Sequence, residues 1–96
     1  MSVVAARKKP LVVQVMQWTE DNTEEVQEWV GVGPDGKTKF MLVPPISGVI
    51  TPPAVVWNKF HDWISVYSTD WIIEGFEGDY YPCDNVTFEA TYEVAT

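Results

Sequence analysis

Short apolar runs broken by turn residues dominate the chain, and a helical stripe occurs once, in its first third. Leu11 to Trp18 is β-branched and apolar on both faces, with Gln14 and Gln17 as its polar interruptions, which predicts a well-covered strand. After Thr19-Glu20-Asp21, the residues Asn22-Thr23-Glu24-Glu25 read as a helix start. Asn22 is placed to cap, Glu25 follows three residues later, and the acids complement the helix dipole. Val26, Trp29 and Val30 make a narrow apolar stripe that Gly31 or Gly33 terminates, so one short helix is predicted near residues 23–30.

Gly33-Pro34-Asp35-Gly36 is a turn signal, and Lys39 to Val43 follows as a strand. Pro44-Pro45 and Pro52-Pro53 bracket Ile46 to Thr51, which restricts that segment to a short or edge strand because proline donates no ladder hydrogen bond. Asp62 to Tyr67, Trp71 to Glu74 and Asp79 to Tyr81 are further β runs. Phe88 to Glu93 alternates, which predicts a last strand with Phe88, Ala90 and Tyr92 inward. The pattern predicts a small α+β fold, a curled antiparallel sheet of about five or six short strands with one helix. Residues 1–10 read as a flexible basic arm and residues 11–96 as a single domain.

Charge sharpens this picture. Fourteen acids against six basic residues give −8, and three of the six, Arg7, Lys8 and Lys9, precede the domain. The remainder carries Lys37, Lys39 and Lys59 against all fourteen acids, a body charge of −11. Nucleic acid is thereby disfavoured as a partner, because phosphate contacts need clustered Lys and Arg. One cysteine, Cys83, and one histidine, His61, supply neither an internal disulfide nor a metal-ligand set, so no cofactor or metal is expected and a reducing compartment fits. The apolar stretches fall far short of the roughly 18 residues that span a bilayer, and no leader pattern precedes them, so a soluble cytoplasmic chain is expected.

Two blocks carry a resemblance. The first runs from Lys8-Lys9-Pro10 through Gln17-Trp18-Thr19 to Asp21-Asn22. The second runs from Asp70-Trp71-Ile72-Ile73 through Gly75 and Gly78 to Tyr80-Tyr81-Pro82-Cys83, followed by Phe88-Glu89-Ala90-Thr91-Tyr92-Glu93. In these the chain resembles a family of small proteins encoded by tailed bacteriophages and prophages, a family not defined by any activity. The resemblance implies an accessory product made in the host cell cytoplasm during infection. It also locates two departures: Ser68-Thr69 stands where relatives carry Pro-Gly, and the aromatic stretch Ala54 to Trp63 is particular to this chain.

Candidate chemistry is sparse. Cys83 with His61 is the one conceivable nucleophile and base pair, with Asp62, Asp70 or Asp84 to orient it, but a small buried thiol at a strand end is the favoured reading, and no enzyme is expected. Gly75-Phe76-Glu77-Gly78 lacks the helix and lysine of a phosphate loop and reads as a hairpin turn. Asp70, Glu74, Glu77, Asp79 and Asp84 read as an acidic surface that keeps a small sheet soluble. Thirteen aromatics exceed what so small a core encloses. Trp18, Trp29, Trp71, Phe88 and Tyr92 are assigned to the core. Trp57, Phe60, His61 and Trp63 are assigned either to a partner-binding patch or to a second small core under a loop. The leading expectation is a non-enzymatic protein that binds a host protein with a basic surface during infection, as in host takeover, superinfection exclusion or anti-defence. The alternatives are a module that sequesters a nucleotide messenger, expected as a homo-oligomer, and a minor virion or assembly protein.

Overall fold

The computed structural model describes residues 2–6, 12–75 and 78–94. Along the chain lie β1 (Val15–Gln17), α1 (Thr23–Val30), β2 (Phe40–Leu42), β3 (Ala54–Asn58), β4 (Asp62–Val66), β5 (Trp71–Glu74), β6 (Tyr80–Cys83) and α2 (Asn85–Thr91). The strands divide into two antiparallel three-stranded sheets, ordered β1-β5-β6 and β2-β3-β4. The fold is therefore α+β, as the pattern predicts, but with two sheets in place of one curled sheet and with a second helix.

Alternation along the strands explains how the layers meet. In β3, Ala54, Val56 and Asn58 are buried while Val55 and Trp57 lie on the opposite face. The inward set joins Phe40 of β2, Val66 of β4, Val26 and Val30 of α1, and Trp18, Ile72 and Tyr80 in one core. Trp18 meets Phe40 edge to face at 5.4 Å between ring centroids. On the other face of the first sheet, Trp71 stacks on Phe88 of α2 at 4.0 Å, and Phe88 stacks on Tyr92 at 5.0 Å. The apolar Ile72-Ile73 pair thus serves two layers, since successive residues of β5 point to opposite faces and both are fully buried.

Several local expectations change. Phe88 to Glu93 does not form a strand: Asp84 caps a helix, its side chain accepting from the Thr87 N–H at 3.0 Å. Phe88 and Tyr92, four residues apart, fall on one side of that helical turn, whereas Ala90, predicted inward, is exposed. Asn22 occupies the N-cap position of α1 but makes no cap bond, because its amide turns back to accept from the Thr19 N–H and donate to the Gln17 carbonyl. Gly31, at φ 74°, ends α1 as predicted. Among the described residues of the first apolar run, Val15–Gln17 pair as a strand, and the segment between the proline pairs forms an isolated bridge, Ile46 to Val49. The basic-arm residues Arg7, Lys8 and Lys9 lie outside the described residues.

The Ser68-Thr69 segment forms a tight turn. Asp70 donates its N–H to the Tyr67 carbonyl at 3.0 Å, closing a turn in which Thr69 adopts φ 71°. A β-branched residue is strained in that left-handed region, where glycine is not. Thr69→Gly is expected to raise stability by about 1 kcal/mol, as the left-handed penalty exceeds glycine's entropy cost. Urea unfolding curves of the two proteins check this, and a lowered midpoint would count against the turn.

Candidate interaction site

The site grows from one hairpin. Strands β3 and β4 pair residue for residue, and the register sets Trp57 opposite Trp63 and Asn58 opposite Asp62. With Asn58 inward, Trp57 and Trp63 share the outer face of the second sheet, the face turned away from the core. The aromatic stretch Ala54 to Trp63 thus supplies β3, the turn and the start of β4, with the β run expected from Asp62 pairing back onto Ala54–Asn58. Phe60 is 70% exposed at the tip, Trp63 is 41% exposed, Trp57 is half-buried and His61 is exposed.

Asn58 fixes the tip. Only 4% exposed, it accepts the Phe60 N–H on Oδ1 at 2.8 Å and donates from Nδ2 to the Tyr80 carbonyl of β6 at 3.0 Å. One amide thereby shapes the turn and ties it to the other sheet. The Lys59 ammonium adds a second tie, lying 3.6 Å from Asp79 Oδ2 and 5.1 Å from the centre of the Phe60 ring. Asp62 completes the turn at φ 58°.

Beside the hairpin, the turn after α1 folds back along β3. Gly33 donates to the Lys37 carbonyl, Lys37 N–H to Asp35 Oδ1, and Trp57 N–H to the Lys39 carbonyl at 2.7 Å. Between this turn and the two tryptophans is a cleft of about 210 Å³, walled by Trp57, Trp63 and Pro34 and rimmed by Lys37, Lys39 and Asp35. Lys39 also lies over the Tyr80 ring at 5.2 Å. All three lysines of the body therefore sit on or beside the aromatic hairpin, a clustering that the spacing of Lys37, Lys39 and Lys59 along the sequence does not disclose.

The acids expected on one surface are distributed differently. Asp70 and Asp79 are buried, each 9% exposed. Asp70 Oδ2 accepts the Tyr67 N–H at 2.9 Å; burial pushes its carboxyl above the ordinary range, and Asp84 adds to the rise. Glu74 accepts from the Tyr80 hydroxyl at 3.2 Å, and Asp84 caps α2, an interaction that holds its pKa down. Glu77 lies outside the described residues. The four described acids thus have work within the fold, which their sequence positions did not reveal.

Cys83 pairs with Trp71 across β5 and β6, and its thiol donates to the Asp84 carbonyl at 3.6 Å. Burial and the nearby Asp84 and Asp70 push that thiol up, the opposite of what an attacking thiolate needs. Burial also pushes the neighbouring Tyr81 phenol up to about 12, with the hydrogen bond to Tyr92 contributing next. Among the described residues there is no group of three or more His, Cys, Asp or Glu able to hold a metal ion. No helix among them is long and apolar enough to cross a membrane. Compared with family models, with curated proteins and with solved structures, the chain matches none of them.

Proposed function

We propose that this chain is a non-enzymatic binding protein, made by a phage in the host cytoplasm, that engages a host protein through the β3–β4 hairpin. The observation that carries the reading is the outward Trp57–Trp63 pair with exposed Phe60, held on a turn that Asn58 and Lys59 tie to the other sheet. Large aromatics on a preorganised support supply contact area at little entropic cost, the composition of an interface hot spot. The raised thiol pKa of Cys83 favours binding over nucleophilic catalysis.

Net charge alone points to a basic partner. The cleft beside the hairpin departs from that balance, since Lys37 and Lys39 line it together with Asp35, while Lys59 is paired with Asp79. At this cleft the nucleotide-messenger reading gains Lys37 and Lys39 but is less favoured on size, because about 210 Å³ falls below the roughly 300 Å³ at which small-molecule pockets begin.

Photo-crosslinking tests the proposal. With a benzophenone amino acid replacing Phe60, infected cells are expected to yield one dominant cross-linked host protein, and Trp57→Ala with Trp63→Ala should abolish it together with the infection phenotype. An unchanged phenotype in a folded double variant would sink the idea.

A further inference from the structure

The cleft beside the hairpin has a chemistry more specific than an aromatic patch. One wall is the cross-strand pair Trp57 and Trp63, which presents two flat π-systems on one sheet face. Pro34 adds a rigid apolar edge, and Lys37 and Lys39, two residues apart on the strand-like segment next to Trp57, line the same cleft, the Lys39 ammonium lying over the Tyr80 ring at 5.2 Å. Asp35 is the one carboxylate lining the cleft, and its Oδ1 already accepts the Lys37 backbone N–H at 3.0 Å. In a body of charge −11, two of the three lysines flank this one cavity. An acidic chain that concentrates its cations around an aromatic recess selects for a ligand that carries negative charge beside an apolar ring.

Volume narrows the class further. About 210 Å³ in a cleft open to solvent matches one ring or one side chain more closely than a whole nucleotide. Resting on the reading of the hairpin as the docking surface, we infer that the cleft receives a single aromatic or proline side chain of the partner, flanked in sequence by Asp or Glu that pairs with Lys37 and Lys39. The ring packs on Trp57 and Trp63; the carboxylates stay at the wet rim and contribute register more than depth of binding.

Indole N–H signals of ¹⁵N-labelled protein provide the test, since they report even weak binding site by site. The probes are the capped tripeptides Glu-Tyr-Glu and Lys-Tyr-Lys, and guanosine monophosphate. Trp57→Phe and Trp63→Phe assign the two signals, and an unmoved Trp18 signal certifies that each variant is folded. Glu-Tyr-Glu is expected to shift the Trp57 and Trp63 signals, Lys-Tyr-Lys to leave them in place, and Lys37→Glu with Lys39→Glu to weaken the first response at least tenfold. Equal shifts with both tripeptides would overturn the acidic specificity while leaving the hairpin a binding surface. Shifts with guanosine monophosphate alone would assign the cleft to nucleotides and overturn the inference. Silence of both indoles to all three probes would overturn it too, whereas loss of the cross-link at position 60 is the separate result that would remove the underlying reading.

Discussion

Trp18→Ala is expected to lower the melting temperature by roughly 15–30 °C, following a loss of about 3–5 kcal/mol. Trp18 is 1% exposed and heads the set of large, fully buried side chains. Its ring packs edge to face on Phe40, its Nε1–H donates to Thr23 Oγ1 at 3.0 Å, and its backbone bonds to the turn at Thr69 and Asp70. Truncation leaves a cavity where both sheets and α1 meet, and the surrounding strands are too short to collapse into it. Against a total stability of about 5–15 kcal/mol, such a loss leaves a large unfolded fraction at 37 °C. Trp18→Phe should recover most of the packing but not the bond to Thr23. Thermal melts followed by circular dichroism measure both, and a Trp18→Ala midpoint close to that of the parent would refute this picture of the core.

Asn58→Ala is expected to cost about 3 kcal/mol, out of proportion to the few atoms removed. Both halves of the amide are used: the oxygen holds the Phe60 N–H and the nitrogen holds the Tyr80 carbonyl. Deleting it strands a buried acceptor on β6 and unpins the hairpin turn. Asn58→Asp separates the two roles. The carboxylate keeps the acceptor but loses the donor, and it places negative charge opposite Asp62 in the register. That variant should be the less stable of the two at neutral pH and should regain part of the loss on acidification, as protonation restores a donor and removes the repulsion. Equilibrium unfolding in urea at two pH values decides it. An Asn58→Asp protein whose stability relative to Asn58→Ala did not improve at low pH would contradict the assigned bonds.

Much of the architecture is legible from local patterns. The 23–30 helix and the Trp71–Glu74 strand appear at their predicted places because each carries its own period and its own stop signal. Phe88 to Glu93 misleads for an equally local reason. Over six residues, apolar groups at Phe88 and Tyr92 satisfy a strand's alternation and a helix's four-residue spacing alike, and the cap signal of Asp84 with Thr87 arbitrates. The division into two sheets is not local at all, since it depends on β1 finding β5. At the site, the surplus of aromatics points correctly to Trp57, Phe60 and Trp63 as side chains outside the main core. Asn58 escapes notice although Asn just before a turn is a known turn former, and the gathering of lysines escapes because pairing, not sequence spacing, brings Lys39 beside Trp57.

The antiparallel register also carries a consequence for how the chain reaches this state. Strands β3 and β4 are joined by a tight turn, with Asn58 facing Asp62, whereas closing the first sheet requires Gln17 to find Trp71 across most of the chain. Loop-closure entropy makes the short connection fast and the long one slow, so the aromatic hairpin is able to form early, ahead of the pairing of β1 with β5. The segment that we assign to partner recognition is then among the first parts of a newly made chain to acquire its shape.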